Sequence, residues 1–172
     1  MATTNNDFMQ NILNEEAWKD LSSDFEWTET LLEKYQNKVN WDEISSNSRV
    51  QWTVPMIKKF ARRINWSNFS STAEERFVTP DLIETFKDLW DWHELSNNSD
   101  VDLTYELLEK YADLWDWEKI IDAWRNKVFE GKGVQFYNKF QQYIPASKLQ
   151  NSSLWREMVD EQKQNLIAEI IS

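Results

Sequence analysis

Apolar residues recur along this chain in sets that fit one face of a helix. Counted from Thr28 and Thr53, positions three, four, seven and eleven are Leu31, Leu32, Tyr35, Val39 and Met56, Ile57, Phe60, Ile64. Counted from Thr79 and Thr104, they are Leu82, Ile83, Phe86, Trp90 and Leu107, Leu108, Tyr111, Trp115. Steps of three and four are the signature of an amphipathic helix, and each set predicts about three turns. The threonine that opens each set suits an N-cap, where its hydroxyl accepts an otherwise unpaired N–H of the first turn. The residue before it is apolar (Trp27, Trp52, Val78, Leu103), and so is position four, the pairing of a hydrophobic staple. Pro55 and Pro80 fall in the first turn, where no N–H partner is lost.

A second, shorter helix is predicted after each of these. Position twelve is Asn40, Asn65, Asp91 or Asp116, a further N-cap directly before a tryptophan. Glu43 and Glu94 stand three residues beyond such caps, as in a capping box. The tryptophans Trp18, Trp41, Trp66, Trp92 and Trp117 are 23, 25, 26 and 25 residues apart, and each opens W-x-x-[LIF]. Short helices through "WDEIS" or "WHELS" are expected to stop at polar turns such as "SNS" and "NNS". The twice-written D-L-W-D-W therefore reads as the end of one helix, a cap, and the start of the next.

A fixed period of about 25 residues is the mark of a stacked repeat array. The expected fold is all-α: one short α-solenoid over residues 1–172, with repeats starting near 5, 28, 53, 79, 104 and 133. An insertion is expected at 122–132 and a C-terminal capping helix at 152–172. In the weaker first repeat Phe8, Met9 and Ile12 would point inward; in the cap Leu154, Met158, Val159, Leu166, Ile167 and Ile170 would do so. Nine of the 11 tryptophans fall in three repeat columns, which predicts core roles for them, with Trp41, Trp66, Trp92 and Trp117 buried alike. Trp124 and Trp155 lie outside those columns and are candidates for exposed contacts.

The motifs W-D-W-x-x-L-S-x-N and T-x-x-L-L-E-K-Y resemble those of tandem WDW-type helical repeat proteins of bacteria, phages and large DNA viruses. "LWDWHELSNNSDVDLTYELLEKYADLWDW" and "FEWTETLLEKYQNKVNWDEISSN" carry the resemblance. It implies a helical repeat fold and attaches no activity to it.

Composition narrows the function classes. Only 2 Gly and 3 Pro leave too few turn residues for a sandwich or barrel. Cysteine is absent, which excludes thiolate chemistry, and His93 is the only histidine, which excludes a His-based metal cluster. Asp91 and Asp116 are accounted for as caps, His93 as a solvated side chain, and no Gly-rich phosphate loop is present. No enzyme and no cofactor is expected. No run approaches ~18 apolar residues, so no membrane span is expected. With no secretory signal at the N-terminus, the expected site of action is the cytoplasm, a host's if the chain is phage-encoded.

Charge adds a surface. The net charge of −11 argues against binding nucleic acid through its phosphates. Residues 79–121 hold 12 acidic and 3 basic residues, whereas 53–78 hold 2 acidic and 5 basic. Positions two, five and nine of each helix face away from the apolar columns. In the third and fourth repeats they are Asp81, Glu84, Asp88 and Glu106, Glu109, Asp113; in the second they include Lys58 and Arg62, beside Lys59 and Arg63. Stacking would align the six carboxylates as a ridge. The expected function is a non-catalytic protein-binding module with a basic partner. The alternative is an acidic inhibitor, such as a phage anti-defence or immunity protein, that fills the basic nucleic-acid groove of a target enzyme. Trp124, in "DAWRNKVFEGKG", is the remaining candidate contact.

Overall fold

The computed structural model describes residues 5–122 and 127–172. Among them it contains twelve α-helices, two 3-10 turns and no strand, so the chain is an all-α repeat protein. Its contacts gather into two bodies, residues 1–72 and 73–172.

The first body holds α1 (Asn5–Asp24), α2 (Glu29–Tyr35), α3 (Trp41–Ser46), α4 (Val54–Phe60) and α5 (Trp66–Thr72). Thr28 and Thr53 cap α2 and α4 by accepting from Leu31 N and Met56 N, and Asn40 caps α3 by accepting from Asp42 N and Glu43 N. The staple forms as well, with Trp27 and Trp52 buried together with Leu32 and Ile57. α1 packs on α3 and α3 on α5. The first helix of each repeat is shorter than the apolar set suggests: α2 stops at Tyr35, and Val39 closes the following turn by donating to the Tyr35 carbonyl.

Two devices absent from the sequence reading join one repeat to the next. The buried Ser22 and Ser45 donate to the carbonyls of Trp18 and Trp41, four residues back. Each hydroxyl also accepts the backbone N–H of the next repeat's cap residue, Asn40 at 2.9 Å and Asn65 at 2.8 Å. The cap N–H of Asn40 is thus taken by Ser22, so Glu43 does not close a capping box. Asn47, also buried, reaches back to donate to the carbonyls of Ser22 (2.9 Å) and Phe25 (3.0 Å), while its own Oδ1 accepts from Arg49 N.

The second body repeats this plan with α6 (Pro80–Thr85), α7 (Trp92–Asn97), α8 (Tyr105–Lys110) and α9 (Trp117–Asp122). Thr79, Thr104, Asp91 and Asp116 are caps as expected. α7 packs on α9, and Ser96 links Trp92 O to Asp116 N as its counterparts do. In the next repeat the serine column holds Ile121, fully buried, and the cap column holds Pro145. Proline has no N–H to satisfy, so the hydroxyl is dispensable where the donor is missing.

α10 (Gly133–Phe140), α11 (Ala146–Leu149) and α12 (Ser153–Ile171) complete this body, α12 packing on α9 and α10. α10 lacks a Thr or Asn cap. The Glu161 carboxylate of α12 supplies the missing acceptor to Gly133 N and, at 3.3 Å, to Val134 N, while Glu157 accepts from Gly131 N at 2.6 Å. A Cβ on Gly133 would lie 3.0 Å from Met158 N, so glycine admits this close approach; Gly131, at φ +65°, occupies the left-handed region.

Three expectations need correction. The first repeat is one unbroken helix, because its positions eleven and twelve are Glu16 and Ala17 where the others have an apolar residue and a cap. Alanine is a poor cap and the best helix former. Phe8 and Met9 consequently stand 61% and 52% exposed, and Ile12 is exposed too. α12 buries Leu154 and half-buries Met158, but Val159, Leu166, Ile167 and Ile170 are exposed. Its 19 residues span about 28 Å and the eight of α10 about 12 Å, so its second half overhangs. Of the four repeat tryptophans only Trp117 is fully buried; Trp41, Trp66 and Trp92 are half-buried. All four are placed alike nonetheless. Each indole N–H donates to the carbonyl five residues back (Gln36, Ala61, Lys87, Ala112), at the frayed end of the preceding helix.

Candidate functional site

The outward columns carry a ladder of ion pairs between successive repeats. Position five is glutamate in several repeats and position six is lysine in several. Within the first body Lys59 reaches Glu29 at 2.9 Å and also Glu33. Within the second, Lys110 reaches Glu84 at 2.7 Å and Lys139 reaches Glu109 at 2.5 Å. Stacking sets position six of one repeat against position five of the one before it. Tyr111 adds its hydroxyl to Glu84.

These contacts show in the titration of the groups. The bonds from Lys110 and then Tyr111 hold the Glu84 carboxyl below the usual glutamate range. The bond to Glu84 holds the Lys110 ammonium above its usual value, and burial first, then Glu84, pushes the Tyr111 phenol up. The same exchange between Lys148 and Glu118, 2.7 Å apart, raises Lys148. All these pairs are exposed, so they add little stability. What they decide is which charges remain uncompensated.

Of the six carboxylates expected to form a ridge, Glu84 and Glu109 are therefore neutralised by the next repeat's lysine. Asp81, Asp88, Glu106 and Asp113 are exposed and make no ion pair with any described residue. The basic stripe divides in the same way. Lys59 belongs to the ladder, and Arg63 donates to Gln36 O and Asn37 Oδ1 while its guanidinium lies 6.0 Å from the centre of the Trp41 ring. Lys58 and Arg62, which make no ion pair with a described residue, stand on the wall of a cleft of about 490 Å³ that also includes Glu33 and Gln36.

His93 is not simply solvated. Its Nδ1 lies 2.5 Å from Oδ2 of Asp116, the residue that caps α9 through its other oxygen. No cluster of three metal-ligating side chains occurs among the described residues, and none of their helices is long and apolar enough to cross a membrane. Trp155 is half-buried; Trp124 falls outside the described residues. Sequence reasoning missed the lysine column, although lysine in the same register at 34, 59 and 110 was its signal. No protein-family model, curated protein or solved structure matches this chain, so its site is read from its own geometry.

Proposed function

We propose that the chain is a non-catalytic protein-binding module that docks a basic partner on the outward face of its second body. One observation carries the reading. The lysine ladder compensates Glu84 and Glu109, yet Asp81, Asp88, Glu106 and Asp113 at equivalent positions of adjacent repeats make no ion pair with any described residue. Like charges gathered on one side of a stacked array add their potentials, and their reach is roughly 8 Å at physiological salt. Such a face accelerates and selects the encounter with a cationic surface.

The test neutralises the face without altering its shape, as Asp81→Asn, Asp88→Asn, Glu106→Gln and Asp113→Asn together. Binding is measured against the partner isolated from the native host on the immobilised chain. Association should slow at least tenfold, its salt dependence should flatten, and helical content should not change. An unaltered association rate would remove this face from the function.

A second reading is favoured by the 12 acidic against 3 basic residues of segment 79–121. A row of carboxylates imitates a nucleic-acid backbone, so the basic partner would be a nucleic-acid enzyme and the chain its inhibitor. Competition between the chain and DNA for the isolated partner separates this reading from simple docking.

A further inference from the structure

The repeated D-L-W-D-W is only partly absorbed by the fold. Trp90 and Trp115 are core, Asp91 and Asp116 are caps, and Trp92 and Trp117 close the preceding helix through their indole N–H groups. Asp88-Leu89 and Asp113-Leu114 do none of these things. The two aspartates make no ion pair with a described residue, and the two leucines stand 42% and 41% exposed.

The same column shows that leucine is not required there. Position ten is Lys38 in one repeat and Arg63 in the next, with their cations 5.5 and 6.0 Å from the ring centres of Trp18 and Trp41. In the last repeat it is Tyr143, stacked on Trp117 at 5.4 Å and 12°. A polar or amphipathic side chain serves this position elsewhere, so Leu89 and Leu114 present aliphatic surface that stacking does not demand. By the same equivalence Leu114 belongs to the side of the repeat that holds the half-buried Trp92.

We propose, resting on the reading above, that Leu89 and Leu114 form the apolar half of a docking ledge whose occupant is a cationic amphipathic helix of the partner protein. Asp88 and Asp113 form its charged half. Leu89 and Leu114 lie in the turns that lead into α7 and α9, which pack on one another, and packed helices lie about 8–10 Å apart. A helix advances roughly 10.5 Å over seven residues, so apolar side chains at i and i+7 match the two leucines. Lysine or arginine on the adjoining positions of that helix would meet the aspartates.

A second copy of the chain fits less well. Its α12 does offer Val159 and Leu166, seven residues apart and exposed, but carries Glu157, Asp160, Glu161 and Glu169 against Arg156 and Lys163. The charge is of the wrong sign for this ledge.

The probe is an 18-residue helical peptide with leucine at i and i+7 and lysine beside them, titrated against the full chain and followed by backbone amide shifts. Three proteins are compared: the unaltered chain, Leu89→Ser with Leu114→Ser, and Asp88→Asn with Asp113→Asn. Leu89→Ala with Leu114→Ala, checked by far-UV circular dichroism, guards against misfolding. Shifts should cluster at residues 88–92 and 113–117. The leucine changes should weaken binding about tenfold and leave its salt dependence intact, whereas the aspartate changes should flatten that dependence. If only the aspartate changes matter, the ledge is wrong and the acidic face stands. If neither matters, the ledge is overturned, and the fourfold neutralisation of Asp81, Asp88, Glu106 and Asp113 decides the acidic face separately. If the chain itself associates with rising concentration and the leucine changes abolish this, the occupant is a second copy and the proposal is overturned.

Discussion

Asn47→Asp should unfold the first body at neutral pH and cost it much less at pH 3.5. The side chain is 5% exposed, and its Nδ2 donates to two carbonyls, those of Ser22 and Phe25, contributed by the end of α1 and the turn after it. A carboxylate has no proton for either carbonyl and would be held away from water with only the Arg49 N–H to satisfy it. The expected loss is about 3–5 kcal/mol, the cost of a buried charge whose partner is missing. The pH dependence fixes the mechanism. Such a carboxyl has its folded-state pKa raised above the unfolded value of about 3.9, so the fold favours the protonated form, which restores one of the two donated bonds. The charge penalty is fully present above the raised pKa and disappears as pH falls below about 3.9, leaving the smaller cost of one carbonyl without its donor. Urea denaturation at pH 7 and pH 3.5, each referred to the unaltered chain at the same pH, measures it. Equal midpoints at pH 7 would show that Asn47 does not tie the repeats.

Trp117→Ala should be the costliest truncation in the second body. Its ring lies 5.1 Å from Phe140 and 5.4 Å from Tyr143, and its N–H is satisfied by Ala112 O. Removing a fully buried indole costs about 3–5 kcal/mol, which for a chain of this size lowers Tm by roughly 6–20 °C. The half-buried Trp92, in the same column, should cost about 1–3 kcal/mol. Calorimetry of the two variants decides the matter, and the reverse order would mean that the last repeat is not packed as described.

How much of this was legible follows from the range of each interaction. Caps, staples and apolar sets act within one turn, so Thr28, Asn40 and Leu32 could be assigned from their neighbours alone. The serine and asparagine devices join groups 18 to 25 residues apart. They become readable only once two repeats are laid side by side, when Ile121 opposite Pro145 explains itself. The unbroken α1 was readable locally in Glu16-Ala17, and extending the repeat register over it concealed the signal. The ridge failed in part for a different reason. Charge columns were compared within a column, whereas stacking pairs position five with position six of the next repeat and thereby neutralises Glu84 and Glu109.

A photo-crosslinking amino acid placed at single positions in the native host reads directly which face meets a partner. Position 113 on the acidic face, position 58 in the basic cleft and position 160 on α12 make the comparison. Crosslinking from position 113 to one protein of net positive charge, with none from 58 or 160, is the predicted result. Adducts from 58 or 160 alone, or no adduct from 113, would contradict it.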